Sequence, residues 1–404
     1  MIQLAPKHLH IATARPTICH VIHALGIGGA EVLVDQIVRR MSGEFRCVVA
    51  VLDEIGEIGE RLQRDGFVVE HLHRQPGIDR NCAKRLKAFA DREGASILHA
   101  HQCTPFFQAM LSRGIFGRRP VVFTEHGRHF PDLPSRKRMV VNRLLLRGCD
   151  RLIGCGGAVR QALIDNEGLP ADRVEVIYNG ADLKTLAKSS PDARPRIRAE
   201  FRIGESDFVA VLVARLHELK DHQTALRAID LARMQIPNLR LILAGDGDQR
   251  PAIEQSIREL DLSPNVKLAG TRKDIADLLA ASDVFLMSSI SEGIPLTVIE
   301  AMAARRPVVS TAVGGLPELI EHGVTGLLAP AKDDPGLAKY LIELYRHPEM
   351  CERMADVAAR RADEMFSLDG MLNSYGNVYN DVLLNRKSTR HIMPSVVKSR
   401  EVRS

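Results

Sequence analysis

FVAVLVARLHELKDH, residues 208–222, sets the architecture. A short apolar, largely β-branched run (208–213) gives way to a turn and then to an amphipathic stretch starting at 222. That is the signature of a buried strand leading into a helix. Outward toward the C-terminus the alternation continues. Strands are expected at 239–243, 265–268, 283–287 and 307–310, with helices at 222–234, 250–260, 273–280, 296–304 and 316–322. Helices near 335–346, 348–364 and 366–384 complete the pattern. Outward toward the N-terminus, strands at 17–24, 46–52, 67–72, 96–100, 119–124, 151–154 and 173–177 alternate with helices at 29–41, 58–64, 80–93, 105–114, 135–147 and 157–167. Between the two series, residues 178–205 (YNGADLKTLAKSSPDARPRIRAEFRIGE) break the rhythm with Gly, Pro and mixed charge and mark a junction. Short apolar runs separated by amphipathic helices imply parallel βαβ units. The fold class is therefore α/β, as two consecutive doubly wound domains facing each other across a cleft. Ligands in such sheets sit beyond the carboxyl ends of the strands, at helix N-termini.

The 404 residues are 45% apolar and 26% charged, ordinary globular values that exclude a disordered, collagenous or disulfide-scaffold chain. No run of 18 apolar residues exists, so no transmembrane helix is expected, and the N-terminal stretch MIQLAPKHLHIATARPT lacks the apolar core of a secretory signal. The seven cysteines are odd in number, scattered and free of CxxC pairs, which reads as reduced thiols in a cytoplasmic protein. Residues 385–404 hold six Lys/Arg against one acid and by themselves account for the net charge of +5. The body is thus neutral, and nucleic acid is not an expected partner. The tail is read as disordered, either solvated without a role or lying against an anionic membrane.

SEGIPLTVIE (291–300) is the most specific motif. Pro295 suits a helix start, which places Glu292 on the preceding loop and Glu300 within the helix. The two carboxylates are then separated by up to roughly 12 Å along the axis, about the span from a sugar ring to a ribose across a diphosphate. The backbone N–H groups at 293–296 are free to meet phosphate. In ARLHELKDH (214–222), Arg215 and Lys220 flank a strand end and a helix start, where a guanidinium fork and a point charge can stabilise a diphosphate leaving group. ALGIGGAE (24–31) places Gly26, Gly28 and Gly29 at the first strand-to-helix turn. It reads either as a nicotinamide-dinucleotide loop, with Asp53 or Glu54 as ribose acid, or as a loop approaching a sugar or phosphate across the cleft. FTEHGRHF (123–130) puts His126 at a strand end. In HAHQ (99–102), His99 and His101 are read as pointing to opposite faces, which disfavours a shared metal. Asp246 and Asp248 in AGDGDQR (244–250) are read as part of a turn, so no metal site is expected. LPSRKRMVVNRLLLRG (133–148) is a basic amphipathic helix, with either a buried apolar face or a membrane- or lipid-facing one.

These motifs together resemble the retaining family 4 glycosyltransferases of the GT-B fold. The resemblance spans roughly residues 17–384 and rests on GIGGAE, FTEHG, ARLHELKD, AGDGDQR, SEGIPLTVIEAMA and VVSTAVGGLPELIEHGVTGLLAP. Ala214 departs from the glycine usual before Arg-Leu. The resemblance implies two Rossmann-like domains with an interdomain cleft: residues 1–185 on the acceptor side and 186–365 binding the nucleotide-sugar. A crossover helix, 366–384, returns to the N-terminal domain, and 385–404 is the basic tail. Glu300 would bind the donor ribose, Glu292 with Gly293, Ile294 and Pro295 the donor sugar, and Arg215 and Lys220 the diphosphate. Gly28 and Gly29 would line the diphosphate and acceptor side, and His126 would sit at the reacting sugar. The implied reaction moves a hexose from a UDP- or GDP-linked donor to an acceptor hydroxyl with retention and without metal or cofactor. A lipid-linked saccharide of cell-surface polysaccharide assembly is the expected acceptor, with peripheral contact at the inner face of the plasma membrane. The alternatives are an NAD(P)-dependent oxidoreductase using the 24–31 loop and a nucleotide-sugar-binding protein without turnover.

Overall fold

The computed structural model describes residues 15–114, 117–127, 132–186 and 189–390. β1 (Thr17–Ala24), β2 (Arg46–Glu54), β3 (Val68–His71), β4 (Ala95–His101), β5 (Val121–Glu125), β6 (Arg151–Gly154) and β7 (Val174–Val176) form one sheet, ordered β3-β2-β1-β4-β5-β6-β7. β8 (Phe208–Val213), β9 (Leu239–Ala244), β10 (Val266–Gly270), β11 (Val284–Met287), β12 (Val308–Thr311) and β13 (Gly326–Ala329) form the second, ordered β10-β9-β8-β11-β12-β13. All strand pairs are parallel. In both sheets the strand order reverses beside the first strand, between β1 and β4 and between β8 and β11. The loops leaving those four strands therefore meet at the crevices where ligands bind in open α/β sheets.

Strand alternation sorts the core. On β1, Ile18, His20 and Ile22 face one side, Cys19 and Val21 the other, and all five are fully buried. The Ile18 side packs under helices Gly29–Met41 and Leu368–Arg390, through Ile37, Val38, Met371, Tyr375 and Tyr379. The Cys19 side packs under helices Arg80–Arg92 and Cys103–Ser112, and its apolar cluster runs on through Cys155 and Val159 to Ile294, Val298 and Met287 of the second unit. The two sheets thus share one apolar seam. Each large side chain buried this way contributes roughly 1.5–3 kcal/mol. Helix Leu368–Arg390 leaves the second sheet and returns to the first, pinned where Ala181 N donates to Phe366 O (3.0 Å) and Leu368 N donates to Ala181 O (2.9 Å).

Four features differ from the sequence reading. β13 was not expected; it is four residues long and follows a turn at Gly323, too short for a period to register. The junction contains helices Leu183–Leu186 and Ala193–Glu200. The latter buries Ala193 and Ile197 and is also held by tertiary ion pairs, Arg198 and Arg194 to Asp283 at 2.9 and 2.7 Å. The final helix runs to Arg390, so residues 385–390 are helical, while 391–404 lie outside the described residues. Helix Arg136–Leu145 buries none of its residues, and Val140 (58%) and Leu144 (76%) are exposed. Its apolar residues divide: Met139, Val141 and Leu145 are half-buried, with Leu145 against the core, while Val140 and Leu144 face outward. Among the described residues, no helix is long and apolar enough to cross a membrane.

Candidate active site

The second-domain wall is charged. The loop after β8 is held by the AGDG turn: Gly245 has φ +145°, and a Cβ there would overlap the Ala214 carbonyl oxygen. Leu216 N donates to Asp246 O (3.0 Å) and Gln249 N to Leu216 O (3.0 Å), which leaves Arg215 exposed on a fixed backbone. Lys220 closes the short 3₁₀ turn Glu218–Lys220. Its Nζ donates to Glu292 Oε1 at 2.6 Å, and Ser289 Oγ donates to the same oxygen at 2.6 Å. The Glu292 side chain is only 7% exposed, and a buried carboxylate needs such hydrogen-bond partners. The sequence sets Lys220 and Glu292 on different parts of a ligand; in the structure they are paired with each other.

The loop carrying Glu292 lies directly on Val313–Gly315. Gly314 has φ +53°, and a Cβ there would overlap the Glu292 carbonyl oxygen. Pro295 is the residue just before the helix, which begins at Leu296. Glu300 is half-buried, and burial pushes its carboxyl up to about 7. No side-chain partner among the described residues holds it ionised, so a hydroxyl-bearing ligand would do so.

The first-domain wall is largely neutral. Gly28 precedes helix Gly29–Met41, and the Glu31 carboxylate folds back over it, where a Gly28 Cβ would overlap it. Burial raises the Glu31 pKa, and the Arg215 charge from the other domain partly lowers it. His126 follows β5. Its backbone oxygen accepts from Cys155 Sγ (3.3 Å) and sits where a Gly293 Cβ would clash, so His126 touches the donor-side loop directly. Burial pushes its imidazole down to about 4, against a smaller upward pull from Asn179.

Long-range contacts join the walls. Glu318 Oε2 accepts from Gly157 N (2.6 Å) and Oε1 from Ala158 N (2.8 Å), capping helix Gly157–Glu167 from 160 residues away, and Tyr178 OH donates to it at 3.0 Å. Asn179 Nδ2 donates to Ile294 O at 2.9 Å. Lys273 pairs with Glu57 at 2.6 Å. Glu31, Asn179 and Glu318 were not singled out from sequence. The only advance signal was an acid at a helix start for Glu31, since the other two act through distant chain.

The reading of His99 and His101 is corrected. Residues two apart on a strand share a face, and their ring centroids are 4.1 Å apart. His20 joins them because it pairs in register with His99. Ligand atoms of all three lie within 4.8 Å of one another. Hydrogen bonds nevertheless occupy every ring nitrogen of the three except His20 Nε2: His99 Nδ1 with Tyr379 OH (2.6 Å), His99 Nε2 with Thr124 Oγ1 (2.9 Å), His20 Nδ1 with His101 Nε2 (3.1 Å), and His101 Nδ1 with His126 Nε2 (3.0 Å). A metal would have to displace these bonds in a fully buried place. Elsewhere, Asp246 accepts from Gly247 N (2.8 Å) and pairs with Arg250 (3.2 Å). Asp53, the candidate ribose acid of a dinucleotide fold, is taken up by Arg74 (2.7 Å) and His23 (2.9 Å).

Two doubly wound parallel domains, with loops from their switch points meeting at a cleft, define a GT-B glycosyltransferase. The Glycosyltransferase Family 4 model matches residues 27–185, and the Glycosyl transferases group 1 model matches residues 193–361. Between them they span both domains, and the chain belongs to the family 4, group 1 glycosyltransferases. It is 29% identical over 318 residues to the N-acetyl-alpha-D-glucosaminyl L-malate synthase of Bacillus anthracis, covering 78% of this chain and 82% of that one. It is 27% identical to the D-inositol 3-phosphate glycosyltransferase of Corynebacterium kroppenstedtii, over 73% of this chain and 69% of that one. Among solved structures, Anabaena Alr3699/HepE in complex with UDP-glucose superposes with a TM-score of 0.80 at 25% identity, covering 90% of this chain and 99% of that chain. The oxidoreductase reading of the 24–31 loop is thereby set aside.

Proposed function

We propose that the protein is a retaining, metal-independent hexosyltransferase that uses a UDP- or GDP-linked sugar. The observation that carries this reading is the Lys220–Glu292–Ser289 cluster, with Arg215 exposed in the same loop as Lys220 and the His126 carbonyl against Gly293. Glu300 accepts from the donor ribose; Glu292 and the Gly293–Pro295 backbone meet the donor sugar. Arg215 and Lys220 hold the diphosphate, with Gly28 and Gly29 lining its acceptor side. As the bond from the anomeric carbon to the phosphate oxygen breaks, negative charge grows on the diphosphate, and the two cations stabilise it where other enzymes use a divalent ion. The sugar becomes oxocarbenium-like. The acceptor oxygen bonds to the anomeric carbon on the same face, and its proton passes to the departing phosphate oxygen. A UDP-glucose complex of a related fold supports a uridine donor.

The acceptor proposed is a lipid-linked saccharide of cell-surface polysaccharide assembly, met at the cytoplasmic face of the membrane. Its support is the exposed Val140 and Leu144 among the cations of helix Arg136–Leu145. Vesicle binding that needs anionic lipid and weakens with salt tests the contact. The reaction itself is tested by a donor screen in EDTA, with total lipid extract as acceptor and mass spectrometry as readout. A hexose mass increment with one donor is expected. Neither transfer nor donor hydrolysis with any donor would leave a binding protein without turnover.

A further inference from the structure

Helix Arg136–Leu145 divides an apolar surface from an apolar pocket. Its Val140 and Leu144, one turn apart, are exposed. Val141 and Asn142, with Lys137 and Arg138 one turn before them, line a pocket of about 440 Å³. Most of the remaining wall is apolar: Ile78, Phe106, Phe107, Phe123 and Leu169. The Phe106 and Phe123 rings are buried and stack at 4.2 Å. Size and lining are those of a ligand site.

The lining joins two places. Cys103 and Thr104 open helix Cys103–Ser112 directly after β4, and Cys103 Sγ donates to Glu125 Oε2 at 3.0 Å, one residue before His126. The pocket therefore adjoins the strand ends of the first-domain wall. Ile78, also on the lining, is 72% exposed, so the pocket opens to the surface as well. The helix carries four cations and no acid. Arg138 is paired with Glu167 (2.9 Å) and Arg74, at the pocket, with Asp53 (2.7 Å), whereas Lys137 is exposed. An apolar cavity opening among exposed apolar residues, with a cation at its rim, fits a hydrocarbon chain that ends in a phosphate. Sugar hydroxyls placed among the phenyl rings would lack partners.

We propose that this pocket binds the phosphate-proximal part of the acceptor's lipid tail, with Lys137 at the phosphate. This rests on the reading of the acceptor as a lipid-linked saccharide. The tail leaves the bilayer past Ile78, and the saccharide is left to reach the ends of β4 and β5. Membrane contact and acceptor choice thus use two faces of one helix.

The test is calorimetric titration of the full chain, without vesicles, using butyl, octyl and decyl phosphate as monomers. Affinity should rise about threefold or more per added methylene from butyl to octyl. Equal affinity for all three and for inorganic phosphate overturns the proposal. Lys137→Glu should weaken all three by a common factor, and unchanged affinity overturns the phosphate assignment. The place of binding is read by fluorescence, since the chain has no tryptophan. A decyl phosphate brominated at its far end should quench Phe107→Trp and leave Tyr345→Trp, on helix Asp334–Arg346 of the second domain, unquenched. Equal quenching of both means unspecific adsorption and overturns the site. If Phe107→Trp does not fold, the wild-type dependence on tail length decides. Binding needs no donor and so stands apart from transfer. Transfer to lipid extract without tail-dependent binding overturns the pocket and spares the reaction. Tail-dependent binding with transfer only to water-soluble acceptors overturns the lipid acceptor and, with it, the tail's identity.

Discussion

The two walls of the cleft solve opposite problems. On the second-domain wall, Arg215, Lys220 and Glu292 keep charge near a surface where a ligand can use it, with Lys220 and Glu292 neutralising each other at 2.6 Å. On the first-domain wall, His20, His99, His101 and His126 are kept neutral by burial, their pKa values lowered, and are joined to one another and to Tyr379. One wall holds charge ready for a leaving group; the other supplies fixed geometry without charge. Preorganised charge stabilises a developing anion only if the reacting carbon is held in place, so each wall depends on the other.

The largest effect should come from breaking the charged wall. Lys220→Ala removes the proposed diphosphate contact and strands the buried Glu292 carboxylate. A loss of about 10³-fold in kcat is expected from steady-state kinetics. Lys220→Ala/Glu292→Gln should be less impaired than the product of the single effects, because the stranded charge is gone. Multiplicative losses would show that the two act separately.

Glu300→Gln should raise donor KM about tenfold with kcat little altered, since the ribose does not change during reaction. The wild-type carboxyl titrates near 7. A proton competes with the ribose hydroxyls, so nucleotide affinity should rise as pH goes from 6 to 8, and Glu300→Gln should flatten that rise. Stability of the free protein runs the other way. The contribution of protonated Glu300 is fully present below the ordinary carboxylate pKa and is lost as pH rises through about 7.

The neutral wall has the reverse sign. His20 and His126 are depressed to about 3 and about 4, so as pH falls below about 6.5 the unfolded chain takes up protons that the folded chain refuses. Thermal stability should fall steadily from pH 7 to pH 4.5, and His20→Phe should make that fall shallower. An equally steep fall would place the acid sensitivity elsewhere.

The smallest effect concerns the join. Glu318→Ala removes the cap that one domain places on helix Gly157–Glu167, at a cost of about 1–2 kcal/mol in thermal denaturation. Glu318→Gln should recover only part of it.

The same contrast governs what could be read from sequence. The charged wall was legible because its groups sit in compact motifs at strand ends: Arg215 and Lys220 are five residues apart, Glu292 and Glu300 eight. The alternation of short apolar runs and helices likewise carried the fold, since burial on both faces writes itself into each strand. What failed was non-local. Glu318 and Asn179 act on backbone 160 and 115 residues away. The place of His20 in the histidine chain depends on β1–β4 register, whereas the shared face of His99 and His101 follows from the local strand pleat alone. Strand β13 and helix Ala193–Glu200 are set by tertiary pairing and leave little periodic trace.

The division of labour between the two glutamates is tested most directly by calorimetric titration of free nucleoside diphosphate, which carries ribose and diphosphate but no sugar. Glu292→Gln should bind it with an affinity close to wild type, and Glu300→Gln about tenfold more weakly. Loss of nucleotide binding in Glu292→Gln with wild-type binding in Glu300→Gln would contradict the assignment.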